Sequence, residues 1–250
     1  MTTRRRSMQD GADTPRASVS WLSVSWLRRV IRRLILLVVL LAALPFVLLA
    51  LYGFVPPVST LMIGRWATLQ PVDRQWTSLD AIAPALTQAV IAAEDSRFCL
   101  HGGVDWSALQ QVVNTASEDG PSRGASTIPM QTVKNLVLWP GRSYLRKGLE
   151  LPLSLYADTI WSKRRMMENY LNIAEWGEGV FGAQAAARHH FGKDAANLTR
   201  REAALLAAAL PNPLARNPAN PSRMHARTAN RLLGRMPNED TRCLAKTEPA

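Results

Sequence analysis

Residues 34–55 are 22 consecutive positions without a charge, interrupted only by Pro45 and Gly53. No other feature limits the folding of this chain as strongly. A backbone in hydrocarbon must satisfy its own hydrogen bonds, so such a stretch folds as a helix, and at 1.5 Å per residue it spans roughly 30 Å. A cleaved signal peptide is the rival reading. Its apolar region usually runs about 7–15 residues, and no small-x-small site closes this one. An uncleaved anchor is expected. Arg28, Arg29, Arg32 and Arg33 stand directly before the span, with Arg4, Arg5, Arg6 and Arg16 behind them; the first charge after it is Arg65. The positive-inside rule then puts the N-terminus in the cytoplasm and residues from Pro56 onward outside. Trp21, Trp26, Tyr52 and Trp66 suit the interfaces.

This topology accounts for much of the charge. The chain carries +11, and residues 1–55 hold eight arginines against Asp10 and Asp13, leaving +5 for the remainder. A nucleic-acid partner therefore loses its main support, while +5 suits anionic lipid or a pyrophosphate. Cys99 and Cys243 would face a compartment that permits a disulfide, but their positions do not decide whether they pair. No CxxC or clustered Cys/His spacing points to structural zinc.

The chain divides into a basic cytoplasmic tail (1–33), the anchor (34–55), a main domain (56–221) and a C-terminal helix with a polar tail (222–250). Residues 1–20 read as disordered, and 21–33 as a basic interfacial helix. The main domain is expected to be mostly α. Leu79, Ile82, Leu86 and Val90 recur at helical spacing. Helices are also expected at 108–116, 145–160 (with Pro152 as a kink or boundary), 166–173, 183–191 and 222–236. Thr199 and Glu202 form a capping box for 202–210, which Pro211 ends. Gly177, Gly179 and Gly182 mark a tight turn. No alternating strand pattern is present, and the segment after Pro237 reads as loose.

Chemistry concentrates in five blocks. The first is Glu94-Asp95-Ser96-Arg97-Phe98-Cys99-Leu100-His101-Gly102-Gly103-Val104-Asp105, after the apolar run 89–93. A carboxylate at the end of such a run can be half-buried, and burial raises its pKa toward the range useful for base catalysis. The alternative is an ordinary solvated helix end. The second block is Gly124-Ala125-Ser126-Thr127-Ile128-Pro129-Met130-Gln131-Thr132-Val133-Lys134-Asn135, and the third Arg146-Lys147-Gly148-Leu149-Glu150. Lys163-Arg164-Arg165 with Glu168-Asn169-Tyr170-Leu171-Asn172 is the fourth, and Arg201-Glu202-Ala203-Ala204-Leu205-Leu206 the fifth. Lys134, Arg142, Arg146 and Lys147 lie within fourteen residues. They read either as a solvated basic face or as fixed cations for an anionic leaving group. Arg146 and Glu150 are also spaced for an intrahelical pair.

Five blocks in this order resemble the peptidoglycan glycosyltransferases (glycosyltransferase family 51), and within them the monofunctional biosynthetic peptidoglycan transglycosylases, over about residues 61–221. The resemblance implies a mostly α, lysozyme-like glycosyltransferase domain behind one transmembrane helix. It implies polymerisation of lipid II into β-1,4-linked GlcNAc–MurNAc strands, with inversion and loss of undecaprenyl pyrophosphate. Glu94 would be the catalytic base and Asp95 its support. Ser126, Thr127, Gln131 and Asn135 would bind sugar and phosphate. Lys134 and Arg142, with Arg146 and Lys147, would meet the pyrophosphate. Glu150 would be the second essential carboxylate and a ligand for Mg²⁺ or Mn²⁺. Lys163, Arg164 and Arg165 are either phosphate-facing or a helix start. Glu168, Tyr170, Asn172 and His101 are expected to hold the fold, and Glu175 falls on the family pattern. An apolar jaw around 114–140 would let Leu136, Val137, Leu138 and Trp139 dip into lipid.

The implied partners are lipid II, the growing strand, the membrane and other cell-wall synthesis and division proteins. The implied location is the inner membrane of a Gram-negative envelope, with the catalytic domain periplasmic. Pro129-Met130, His190 and Cys99 depart from the usual family pattern. No Ser-x-x-Lys occurs, and too little chain follows 221 for a transpeptidase, so cross-linking is not expected. The rivals are a lytic glycosidase and an inactive anchored scaffold.

Overall fold

The computed structural model describes residues 21–115, 126–141 and 143–245, without the side chains of residues 21–25, 113 and 115. Two compact units meet between Ala43 and Leu44. Helix α1, Trp21–Tyr52, runs through that division, and its stretch Trp26–Tyr52 is long and apolar enough to cross a membrane. The basic run and the apolar run are thus one helix, not two. It ends at Tyr52 because Gly53 and Phe54 turn the chain.

The last turn of α1 belongs to the second unit. Leu49 is fully buried there. The carbonyls a helix leaves unpaired at its C-terminus are taken up by side chains from the lobe. Trp161 Nε1 donates to Leu49 O (3.0 Å), and Arg165 Nη2 donates to Tyr52 O (3.0 Å) and Val55 O (2.7 Å).

Nine helices follow among the described residues: α2 Thr60–Ala67, α3 Pro84–Glu94, α4 Trp106–Thr115, α5 Ile128–Val137, α6 Tyr144–Ile160, α7 Lys163–Ile173, α8 Ala183–Phe191, α9 Arg200–Ala209 and α10 Arg223–Arg235. The periodic run from Leu79 is not one helix. It breaks into a 3₁₀ turn, Leu79–Ala81, and α3, because Pro84 suits the first helical position and keeps Ala83 out of the α region. Pro152 neither bounds nor stops α6, which continues to Ile160. The Thr199–Glu202 capping box opens α9 as expected.

A small sheet was not anticipated. β1 (Asp73–Arg74) runs parallel to β3 (Val180–Phe181), which pairs antiparallel with β2 (Glu175–Gly177). Gly179, at φ +72°, makes the turn between β2 and β3. A Cβ there would sit 2.7 Å from Pro71 O, so only glycine lets β1 approach.

The core centres on α3, whose Leu86, Ala89, Val90, Ile91 and Ala92 are buried against α9. Alanines along α9 let the two helices pack closely, and α10 lies on both. The segment after Pro237 is not loose up to Ala245. Met236 and Leu244 are buried, Arg164 Nη1 donates to Leu244 O (3.0 Å), and Cys243 forms a disulfide with Cys99.

Candidate active site

Glu94 is the last residue of α3, and Asp95 turns the chain away from the helix. Glu94 is half-buried, and its Oε2 accepts from Gln131 Nε2 at 2.7 Å. Tyr170 OH donates to Gln131 Oε1 (3.2 Å), which aims the amide NH₂ at the carboxylate. Burial pushes the Tyr170 pKa well up, so the phenol remains a donor. Burial also raises the Glu94 pKa. The Gln131 bond and the charges of Lys134 and Arg216 pull it down, and Asp95 pushes it up. The outcome is a carboxylate more basic than a free one, held in one orientation.

Glu94 opens into a groove of about 280 Å³ lined also by Ala207, Arg216, Thr228, Arg231 and Arg235. These three arginines escape the sequence reading because they follow the fifth block in a polar stretch that resembles ordinary surface. For Arg231 and Arg235 the available signal was the amphipathic pattern of α10, which buries Ala229 and Leu232 and leaves arginines beside them; Arg216 precedes that helix and carries no such signal.

Asp95 faces partners within the protein. It is buried; its oxygens lie 2.9 and 3.1 Å from His101 Nε2, and Oδ2 accepts from Ile128 N (3.0 Å). It therefore ties the loop after α3 to the start of α5, a support role. Thr127 is likewise engaged within the protein. Its buried hydroxyl donates to Gly103 O (2.7 Å) and accepts from Met130 N (3.3 Å) as the N-cap of α5. Pro129 lies in the first turn, where its missing N–H costs nothing.

Along α5, Gln131, Lys134 and Asn135 share one face by their i, i+3, i+4 spacing. Gln131 meets Glu94, whereas Lys134 and Asn135 line a second cavity of about 390 Å³ with Thr60, Leu61, Trp139 and Arg146. Burial lowers the Lys134 pKa; Glu150 raises it, and Arg146 and Lys147 lower it further.

Glu150 is only 1% exposed, and Arg146 8%. Arg146 Nη1 pairs with Glu150 Oε1, while Lys147 Nζ reaches Glu150 Oε2 at 2.8 Å and donates to Ser126 Oγ at 2.7 Å. One acid thus organises two cations beside Lys134. This donor set does not fit a divalent ion at Glu150: both oxygens already face cations. Among the described residues no group of three His, Cys, Asp or Glu side chains could hold a metal. Arg142 lies outside the described residues.

Apart from Tyr170, which orients Gln131, the polar side chains of the fourth block pair within the lobe. Lys163 reaches Asp158 Oδ1 and His101 O (2.6 Å each), Arg164 pairs with Asp80, and Arg165 pairs with Glu168. Glu168 accepts from Leu79 N (2.9 Å) and Asn172 brackets Thr77 through both its amide atoms. Glu175 pairs with Arg65 and accepts from Gly179 N, both at 3.0 Å. The apolar jaw needs correction too. Leu136 and Leu138 are core residues, 2% and 4% exposed, because they face inward from α5. Exposed apolar surface near the cationic cavity comes instead from Trp139 (44%), Tyr144 and Leu145.

A sequence model described as transglycosylase matches residues 62–237, which include all the lining residues of the Glu94 groove and all but Thr60 and Leu61 of the cationic cavity. The chain belongs to the transglycosylase family. It is a glycosyltransferase. It is similar to the biosynthetic peptidoglycan transglycosylase of Brucella suis biovar 1 (strain 1330), with 59% identity over 80% of this chain and 90% of that protein. The protein of the same description from Agrobacterium fabrum (strain C58 / ATCC 33970) is 54% identical over 78% of this chain and 88% of its own length. The family match ends at residue 237, so it includes α10 and its arginines as well as the five blocks.

Proposed function

We propose that this transglycosylase polymerises lipid II into β-1,4-linked GlcNAc–MurNAc strands on the outer face of the bacterial inner membrane. The observation that carries the reading is a desolvated carboxylate flanked by fixed cations on both sides. Glu94 removes the proton from the 4-hydroxyl of the acceptor GlcNAc. That oxygen attacks the anomeric carbon of the donor MurNAc from the face opposite the pyrophosphate, so the configuration inverts. The C–O bond to the pyrophosphate breaks, and the leaving group takes the bonding pair. Lys134, Arg146 and Lys147 take up the charge that develops there, in a partly dry cavity where such charges act strongly. Glu150 holds two of those cations in place.

Ser126 orients Lys147, and Asn135 lines the same cavity. The apolar wall of Leu61, Trp139 and Pro140 suits the lipid end of the leaving group. The arginines around Glu94 suit the anionic part of the acceptor. Candidate helix α1 keeps the enzyme where its lipid-linked substrates are, and the Cys99–Cys243 disulfide supports an oxidising compartment for the lobe. A glycan hydrolase would leave the cationic cavity without a purpose, because its substrate has no pyrophosphate.

The test supplies labelled lipid II to purified full-length protein in detergent, beside Glu94→Gln. Long lysozyme-sensitive strands from the wild type, absent with the variant, are expected. Cleavage of preformed glycan without synthesis would replace this reading by the lytic one.

A further inference from the structure

The mechanism leaves one covalent feature unused. Cys99 and Cys243, separated by 144 residues in sequence, are joined. Cys99 lies in the 3₁₀ turn Phe98–Leu100, in the loop that begins at Glu94 and Asp95. Cys243 lies in the 3₁₀ turn Arg242–Leu244, at the end of a strap that leaves α10. The strap starts against α3, where Met236 is fully buried, and it ends on α7, where Arg164 holds Leu244 O. It therefore runs from the helix that presents Glu94 to the loop that follows it. The inner side of that loop is held by hydrogen bonds that Asp95 accepts from Ile128 N and that Thr127 and Lys163 donate to Gly103 O and His101 O. On the strap side the covalent tie is the disulfide. Both cysteines are half-buried rather than sealed in the core, which leaves the bond open to a small reductant.

We propose that Cys99 and Cys243 are a redox modification site, closed by exchange with a protein disulfide outside the cytoplasm, and that closure sets the order of the Glu94 loop and hence the polymerising rate. One cysteine thiolate attacks the donor disulfide to give a mixed disulfide, and the other displaces it. Two thiols lose two protons and two electrons; the Cys99–Cys243 bond forms, and the donor leaves as a dithiol. The link to rate rests on the reading of Glu94 as the base.

The experiment uses full-length protein in detergent micelles, oxidised or equilibrated with graded dithiothreitol, beside Cys243→Ala. Thiols are tagged with a maleimide and counted by intact mass. Hydrogen exchange is followed across residues 95–105, with α8 as the internal control, and lipid II polymerisation is timed on the same samples. The oxidised protein is expected to tag nowhere. Reduction should expose both thiols and speed exchange in the loop about tenfold while α8 holds, since only local order is lost. Melting should fall by roughly 5–15 °C, polymerisation should slow several-fold, and glutathione disulfide should restore all of these. Cys243→Ala should behave as the reduced protein and ignore dithiothreitol.

Thiols that tag without reductant would overturn the proposal, as would loop exchange or rate unchanged by reduction. If Cys243→Ala does not fold, the reduction titration still decides, because it starts from folded protein. An oxidised protein that makes no polymer sinks the reading of the function, while the tagging and exchange data judge the latch separately.

Discussion

Glu94 and Glu150 are both shielded from water, yet their neighbours give them opposite tasks. Glu94 accepts from Gln131, and its pKa is raised chiefly by burial. Such a group stabilises the fold only while protonated. That contribution is complete below its unfolded pKa and lost as pH rises through the folded one. At neutral pH the ionised carboxylate is therefore held at a cost to stability. Glu94→Gln should lower the polymerisation rate by about 10²–10⁴-fold and raise the melting temperature, as a calorimetric scan of both proteins would show. A variant that melts lower would contradict the burial argument. The acidic limb of the wild-type rate profile should lie above the range of a free glutamate, and Arg216→Gln should move it higher still, because the arginine pulls the pKa down.

Glu150 instead faces Arg146 and Lys147. Removing it strands a buried guanidinium, so Glu150→Ala should destabilise by roughly 3–5 kcal/mol. Arg146→Met with Glu150→Leu should recover most of that stability but not the activity; recovery of both would make the pair purely structural. Both glutamates are legible in sequence, because each ends or sits within a recognisable local pattern. The task of Thr127 is not, since its partner Gly103 comes from another element and leaves no local signal.

At the scale of elements, helices announce themselves when period and caps agree. Residues 183–191 and the Thr199–Glu202 box are readable for that reason, and α10 falls within the expected helix 222–236, with Ser222 as its N-cap. Strands of two or three residues are too short to show alternation, so the sheet that joins β1 to the turn at Gly179 is invisible until the chain is folded. The same holds for Leu136 and Leu138: hydrophobicity does not say whether a residue faces lipid or core. Gly103 is an element-scale contact that sequence marks only as a turn. At φ +79° it lets the loop after α3 touch α6, and a Cβ there would sit 2.6 Å from Ser154 O. Gly103→Ala must move the loop or the helix. It should cost more than 1 kcal/mol, since both the φ strain and the clash act, and should slow polymerisation without altering α9. Thr199→Ala, which removes only a cap far from either cavity, should cost about 1 kcal/mol and leave the rate unchanged. Chemical denaturation of the two variants beside rate measurements separates these outcomes, and equal effects on rate would refute the distinction.

For the whole molecule, the boundary that composition suggests and the boundary that folding uses differ. By charge and hydropathy the anchor ends at Val55 and the domain begins after it. In the structure the second unit begins at Leu44, inside helix α1. The reason is that the end of α1 has two environments: its final carbonyls need partners, and the lobe supplies Trp161, Arg165 and Asn169. Leu49 fills the core at the same place, and Phe46 meets the edge of Tyr156 at 5.1 Å between ring centres. Hydropathy cannot distinguish an apolar turn that faces lipid from one that faces protein, so this shared turn is hidden in the sequence. Two truncations expose it. A chain beginning at Leu44 keeps every one of these contacts and should melt within a few degrees of full length in detergent. A chain beginning at Pro56 loses the buried Leu49, leaves the Trp161 indole without its acceptor and strips Arg165 of two carbonyls. Those losses together are worth roughly 3–6 kcal/mol, or on the order of 10 °C in melting. Circular dichroism melts of the three chains would decide. Equal melting of the two truncations would mean that the end of α1 adds nothing to the lobe, whereas the predicted gap means that the last turn of α1 is also a wall of the lobe, so that the lobe cannot be cut from its candidate membrane helix at the point where hydropathy suggests.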